Sequence, residues 1–515
     1  MAILDKPICC GVPMHKAGLS ESKHQRYRCR MCTFRTTGND DGALGYDPEL
    51  TKSNTQTLQA AIKAGAKRFI ITSAQNNTRV NADFLTALER YSRKWSCPLV
   101  VIPVSYKNPS AFTGGQEFKK TWHSSVEPYL VDDNVHLGGG VEIAADTKIA
   151  ATAVNPISGM HTVGGHRWQI IGHAQVAMEP VGAPAGVRPK RVYSTGSVTH
   201  RNYSRSKIGK IAEFHHTACA LVVEVSGTQA FVRQLAWGNG CFYDLAGGQL
   251  LKYTPEKVTN GERALALTTG DEHVRFHDKA VRRATYATGG IAEVVKPAHL
   301  VRHDVLDGYA GSHHHRHDPL TQFKKRANGG DCYRAELDQV VDFINDTTPK
   351  GAVNIMVDSN HHDHLQQFLN KADANVDHTN AVFIAEMQAK QRRAVLAGED
   401  HRPLMLFCDG KVTAPIKWLG RSKPFVIKGV DYSQHGDVGV NGSRGSAAGL
   451  AKTTYKMTIG HSHTPRICKG VYQVGKSATR LEYEKGLQTQ GQTHCVQYAN
   501  GKRTLVDIFA GKWRA

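Results

Sequence analysis

Apolar residues recur at helical spacing through residues 57–66, and an apolar run, Arg68-Phe69-Ile70-Ile71-Thr72, follows directly. Phe84, Leu88 and Tyr91 share one face of a second predicted helix over residues 81–95. Leu99-Val100-Val101-Ile102-Pro103-Val104 then reads as a strand buried on both sides. Strand, helix and strand at this spacing make a βαβ unit with parallel strands under covered faces. The segment Ser73-Ala74-Gln75-Asn76-Asn77 leaves the first strand where such sheets place binding loops. Neither a GxGxxG nor a Walker A pattern accompanies it, so no nucleotide site is expected. Short strands continue to about residue 290. From about Lys296 the pattern changes, and apolar strands end in His, Asp and Asn. Strand-like runs from Val471 to Phe509, broken by an Asn500-Gly501 turn, are expected to complete a second sheet.

The Gly-, Asp-, Thr- and Ser-rich residues 37–54 read as a linker. The pattern thus predicts an α/β chain in three units: a small module at 1–37, a parallel-sheet α/β domain at 45–290, and a site-bearing domain at 296–515. A length of 515 residues, too great for one ordinary core, agrees with that division.

Charge adds a partner. Lys and Arg number 65 against 45 Asp and Glu, a net charge of +20, and a surface this basic attracts polyanions, of which nucleic acid is the commonest. A solvated basic surface with no specific partner is the plainer account. The 27 histidines exceed what packing requires and point towards metal chemistry. The opening Met1-Ala2-Ile3-Leu4-Asp5-Lys6 lacks the pattern of a signal peptide, and no run approaches the roughly 20 apolar residues of a membrane span, so a cytoplasmic protein is expected. The 11 cysteines, mostly single, fit reduced thiols better than a disulfide framework.

Four residues of the first module suit a tetrahedral zinc. Cys29 and Cys32 form a C-x-x-C knuckle, and Cys10 with His15 completes a Cys₃His set, Cys9 being the other choice beside Cys10. Two unconnected cysteine pairs are the alternative. The run Gln25-Arg26-Tyr27-Arg28-Cys29 resembles the zinc ribbons of insertion-sequence transposases and phage DNA proteins.

Three clusters near the C-terminus carry the chemistry. The first is an apolar strand running into Asp358-Ser359-Asn360-His361-His362-Asp363, with a helix expected from near Leu365. The second is Tyr432-Ser433-Gln434-His435-Gly436, and the third is a strand ending in Gly460-His461-Ser462-His463. Two divalent ions about 3.5–4 Å apart can bind a phosphate and activate water, provided ligands converge from several strand ends. Imidazole mixed with carboxylate suits Mn, Fe, Zn or Ni better than Mg. In an extended Gly-His-x-His turn, His461 and His463 point the same way and Ser462 points away. A lone histidine is usually an ordinary surface or core residue. Four imidazoles and an amide, each at a strand end, are harder to dismiss.

These motifs resemble the calcineurin-like metallophosphoesterase superfamily, whose signature runs D-x-H, GD-x-x-D, GNH(D/E), a lone His, then GHxH. The resemblance implies a sandwich of two sheets flanked by helices, with a dinuclear site at one edge. It implies metal ligation by Asn360, His435, His461 and His463, and an acid or transition-state role for His361. The opening strand is expected at His299-Leu300-Val301-Arg302, with Asp304 or Asp307 as first carboxylate and a histidine from His313-His314-His315 filling in for the missing D-x-H. Asp331 is the expected bridging ligand, with Glu336 as the alternative. The carboxylate that follows the third motif's His in that superfamily is absent, since His362 stands there and Asp363 comes one step later. Asn441-Gly442-Ser443-Arg444-Gly445 can offer Ser443 and Arg444 to a phosphate, though a flexible turn would also explain it.

Over most of its length the sequence also resembles the early first-step-transfer DNA-degradation proteins of T-five-like tailed phages, in its "SNHHDHL", "NGSRGS" and "GHSHTP" segments. That implies a manganese-dependent nuclease hydrolysing DNA in the bacterial cytoplasm, assembled as a homo-oligomer. A small-molecule phosphatase or cyclic phosphodiesterase, and a non-catalytic DNA-binding protein, are the alternatives.

Overall fold

The structure is a computed structural model. It describes residues 48–106 and 121–515, apart from Arg316 and Ser422, together with short strands between residues 8 and 45. Within the first module, His15–Leu19, Gln25–Arg28 and Arg35–Thr37 form an antiparallel three-stranded sheet, with His15 opposite Arg28. The expected zinc ligands Cys10, Cys29 and Cys32 lie outside the described residues.

The chain is mixed α/β, as its pattern predicts. Arg68–Gln75 and Leu99–Val104 pair in parallel across the helix Ala82–Trp95. Asn81 caps that helix by accepting from the Phe84 amide, and Phe84, Leu85, Leu88 and Tyr91 form its buried face. The preceding helix, Pro48–Lys63, begins inside the stretch that reads as linker. Proline is tolerated in a first helical turn, and Thr51, Thr55 and Leu58 are buried, so packing overrides the polar composition. The hairpin of Cys219–Ser226 and Gln229–Ala236 adds to Arg68–Gln75 antiparallel, making this four-stranded sheet mixed.

Two larger sheets position the chemistry. A six-stranded sheet has the order Ile416–Trp418, Val353–Met356, His299–Arg302, Ala266–Thr268, Thr493–Gln497, Arg503–Asp507, its first four strands parallel. A ten-stranded sheet interleaves early and late segments. His173–Val181 pairs with Arg466–Cys468, and beyond these lie Val471–Gln473, Lys456–Ile459 and Val430–Asp431. Ala266, Val301 and Ile355 of the first sheet share a core with Val430 and Tyr432 of the second. Residues on both sides of the expected boundary at 290–296 therefore belong to one sheet and common cores; Tyr193 and Val223 pack with Tyr472 and Leu505. Helices Tyr333–Thr347, Asn360–Lys371, Ala381–Ala397 and Pro403–Cys408 gather Leu337, Leu365, Phe383 and Phe407 around Met356. Among the described residues no helix is long and apolar enough to cross a membrane.

A buried ion pair locks the parallel strands together. Arg302 Nη1 lies 2.8 Å from Glu272 Oε1, and both side chains are fully buried. Arg302 also donates to Asn354 Oδ1 and Thr347 Oγ1, while Tyr286 donates to Glu272. Leaving one buried partner uncompensated costs about 3–5 kcal/mol. Glu272→Ala is therefore expected to lower the thermal midpoint sharply, and Glu272→Leu combined with Arg302→Met to recover most of it. Calorimetry of the three variants checks this; equal loss in the single and double variants would show that packing rather than charge is at stake.

Candidate metal centre

Five strand ends deliver the site. Ala266–Thr268 runs into Thr269-Gly270-Asp271-Glu272-His273, and His299–Arg302 into His303 and Asp304. Val353–Met356 leads to Asn360 and His361, Val430–Asp431 to His435, and Lys456–Ile459 to His461 and His463. Asn360 and His361 lie in the first turn of a helix that starts at Asn360, five residues before the expected Leu365, with the Ser359 side chain as its cap. The Gly-His-x-His segment is not extended. His461 and His463 both have left-handed backbones (φ 73° and 57°), as do His273 (40°) and Asp304 (44°). Such conformations cost about 1–3 kcal/mol each and gather where surrounding structure holds them in place. Gly460 is required sterically, since a Cβ there would stand 2.1 Å from Asp271 Oδ1.

Ligand atoms of Asp271, His273, Asp304 and His463 lie within 4.8 Å of one another, as do those of Asp271, His303 and His435, and those of His273, Asp307 and His361. His273 Nε2 is 3.0 Å from His463 Nε2, which is 3.4 Å from Asp271 Oδ2. His435 Nε2 is 3.2 Å from Asp304 Oδ2, without hydrogen-bond alignment. His461 Nδ1 is 3.1 Å from Asn360 Oδ1, and its ring centroid lies 5.3 Å from that of His435. Second partners fix the rings: His273 Nδ1 bonds Asp307 Oδ2 at 2.9 Å, His463 Nδ1 bonds Glu484 at 3.1 Å, and His361 Nδ1 bonds the Asp307 carbonyl at 2.7 Å.

The electrostatics suit a cation. Both oxygens of Asp271 and of Asp304, with His303 Nε2 and His435 Nε2, are buried without a hydrogen-bond partner among the described residues. Unmet buried polar atoms are rare and costly, and charged ones most so. Burial raises the Asp271 carboxyl to about 7 against the pull of His435. Burial acts likewise on Asp304, but His435 and His361 outweigh it and hold Asp304 well below the usual carboxylate range. His435 is held up at about 9, because the attraction of Asp304 exceeds the penalty of burial. Burial pushes His463 down to about 4, leaving a neutral imidazole able to donate a lone pair. Convergent lone pairs, two buried carboxylates and neutral imidazoles fit a divalent metal ion.

Comparison with known proteins supplies the family. Over 476 residues the chain is 32% identical to "Protein A1" of Escherichia phage T5, a span covering 89% of this chain and 84% of that protein. The chain belongs to the phage A1 protein family. No family model matches it, and no solved structure does.

In this A1-family chain, six of the expected site residues converge: Asp304, Asn360, His361, His435, His461 and His463. Asp307 stands beside them, but its carboxylate binds His273. Asp331 lies elsewhere, its carboxylate reaching the Thr379 hydroxyl. Glu336 is buried and accepts the amides of Gly308, Tyr309 and Ala310, so it shapes the loop after Asp307. His314 is exposed, and His315 packs on Tyr309. Ser443 and Arg444 are exposed on a turn that Gly445 pins to the Asp437 carbonyl. The residues overlooked are Asp271 and His273. A strand running into Gly270-Asp271-Glu272-His273 carries the same signal as the later motifs, but it sits before the boundary expected at 296.

Mn²⁺ at a hundred times its dissociation constant should stabilise the wild-type protein by about 2.7 kcal/mol, seen as a rise in melting temperature over an EDTA-treated sample. Asp271→Asn is expected to melt no lower than metal-free wild type, having no charge to bury, and to lose the metal-induced rise. A variant destabilised equally with and without Mn²⁺ would instead mark Asp271 as a structural carboxylate.

Proposed function

We propose that the protein is a metal-dependent nuclease that hydrolyses DNA phosphodiesters with a dinuclear centre of the calcineurin-like metallophosphoesterase kind, and that it serves phage degradation of host DNA in the bacterial cytoplasm. The observation that carries this reading is the order of the convergent residues. Asp271-x-His273, Asp304 followed by Asp307, Asn360-His361, His435 and His461-x-His463 follow the order of that superfamily's five blocks, with His303 and Ser359 where it has Gly and His362 where it has an acid, and they meet in space. Asp271 and His273 would supply the D-x-H block.

Asp271, His273, Asp304 and His463 would hold one ion, and Asp304, Asn360, His435 and His461 the other, with Asp304 shared. Mn²⁺ suits this mixed donor set. When bound, such a pair supplies Lewis-acid stabilisation of phosphoryl charge and lowers the pKa of water. The chain's own residues do the rest. His361 donates Nδ1–H to the Asp307 carbonyl, so Nε2 is the nitrogen left to carry a proton to a departing oxygen. The exposed Tyr483 ring stands 6.4 Å from His361 and 6.3 Å from His463, giving the mouth an aromatic face on which a base can stack. Arg444, exposed beyond His435, can meet a phosphate, and the net charge of +20 favours a polyanionic substrate.

Plasmid cleavage by purified protein in Mn²⁺ and in EDTA tests the proposal. Cleavage should require Mn²⁺, fall by about 10²–10⁴-fold in His361→Ala, disappear in His461→Ala, and survive in Asp331→Ala. Intact plasmid alongside hydrolysis of bis-p-nitrophenyl phosphate would keep the centre and refute the substrate.

A further inference from the structure

A second cleft, of about 1020 Å³, opens away from the metal centre. The strand Lys456–Ile459 relates the two: Lys456 lines the cleft, whereas Ile459 leads into Gly460 and His461. Strand rise puts about 10 Å between those ends. The neighbouring strand repeats the arrangement, with Gly470 in the cleft and Gln473 bonded to Ser462 at the far end.

The lining of this cleft contains no Asp or Glu. Arg201, Lys456, Lys469, Lys502 and Arg503 all contribute to it, and none pairs with a carboxylate among the described residues. Arg503 is buried, and its guanidinium is held by the carbonyls of Met457 and Gly470, so its charge is positioned but not neutralised. Aromatic faces alternate with this charge. Phe214 (64% exposed) projects from the helix Lys207–His215, Tyr455 (67% exposed) stands beside Lys456, and Trp237 lines the wall. Exposed apolar residues are common singly, but here the rings share one cleft with the cations. Unbalanced cations with interleaved aromatic rings are what a nucleic-acid strand with splayed bases requires, whereas a duplex hides its base faces.

We propose that this cleft is a docking site for single-stranded nucleic acid, separate from the metal centre, in which the cations track phosphates and Phe214, Tyr455 and Trp237 stack on bases. The site needs no metal and does not depend on the nuclease reading. A single strand held there would approach the catalytic edge from the opposite end of the same sheet.

The test is binding of a fluorescent oligo-dT to the full-length protein in EDTA, where cleavage cannot interfere. Lys456→Gln/Lys469→Gln should weaken binding and reduce the slope of log affinity against log salt by about 0.7 for each phosphate contact removed. Phe214→Ala/Tyr455→Ala should weaken it at least about fivefold for each stacked base lost, and a duplex of the same length should compete poorly. Both variants should keep the wild-type melting temperature and its activity on bis-p-nitrophenyl phosphate. Unchanged oligo-dT affinity in both variants overturns the proposal. Equal competition by duplex, with no effect of the aromatic variant, also overturns it and leaves a general polyanion surface. Loss of phosphodiester hydrolysis without loss of fold overturns the separation of cleft and centre.

Discussion

Two carboxylates without a hydrogen-bond partner among the described residues, Asp271 and Asp304, lie fully buried at the heart of the molecule, and much of the surrounding architecture serves to keep them there. Charges of one sign do not gather in a dry interior unless the frame is stiff and a cation is available to them. The frame is the Arg302–Glu272 pair, whose members are the immediate sequence neighbours of site residues: Glu272 separates Asp271 from His273, and Arg302 precedes His303 and Asp304. A salt bridge under a metal site fixes the two strand ends relative to each other before any ligand arrives. The left-handed backbones of His273, Asp304, His461 and His463 then turn each side chain inwards.

The histidine-rich half of the site was legible because its chemistry is concentrated in short runs. Asn360-His361 and Gly460-His461-Ser462-His463 pair rare residue types with abrupt strand ends, and both follow strands, although the first opens a helix and the second is left-handed rather than extended. The carboxylate half was not legible from the same cues. Asp and Glu are common on any surface, so the sequence pattern favours Asp331 and Glu336 and passes over Asp271, which lies before the expected boundary; in the fold Asp331 and Glu336 point to other partners. The βαβ unit at Arg68–Val104 was readable from periodicity, since its contacts are local. The ten-stranded sheet was not, because the pairing of Met178 with Ile467 leaves no trace in either strand's composition. Long-range pairing is a property of complementary faces rather than of windows of sequence.

Sheet geometry also separates two kinds of charge. Acidic and imidazole groups collect where Lys456–Ile459 ends, and fixed cations collect where it begins. A polyanion would thus meet attraction at one end of the strand and a compact, buried ligand cluster at the other.

The interleaving of the ten-stranded sheet bears on when the candidate metal centre can assemble. His273 and His463 touch across 190 residues of chain. At ribosomal rates of about 5–20 residues per second, roughly 10–40 seconds separate their synthesis. The central strand Arg466–Cys468, which joins the late half of the sheet to His173–Val181, emerges later still. An unfinished chain therefore carries only part of the candidate ligand set. Whatever chemistry the centre performs is thereby withheld until nearly the whole chain has been synthesised.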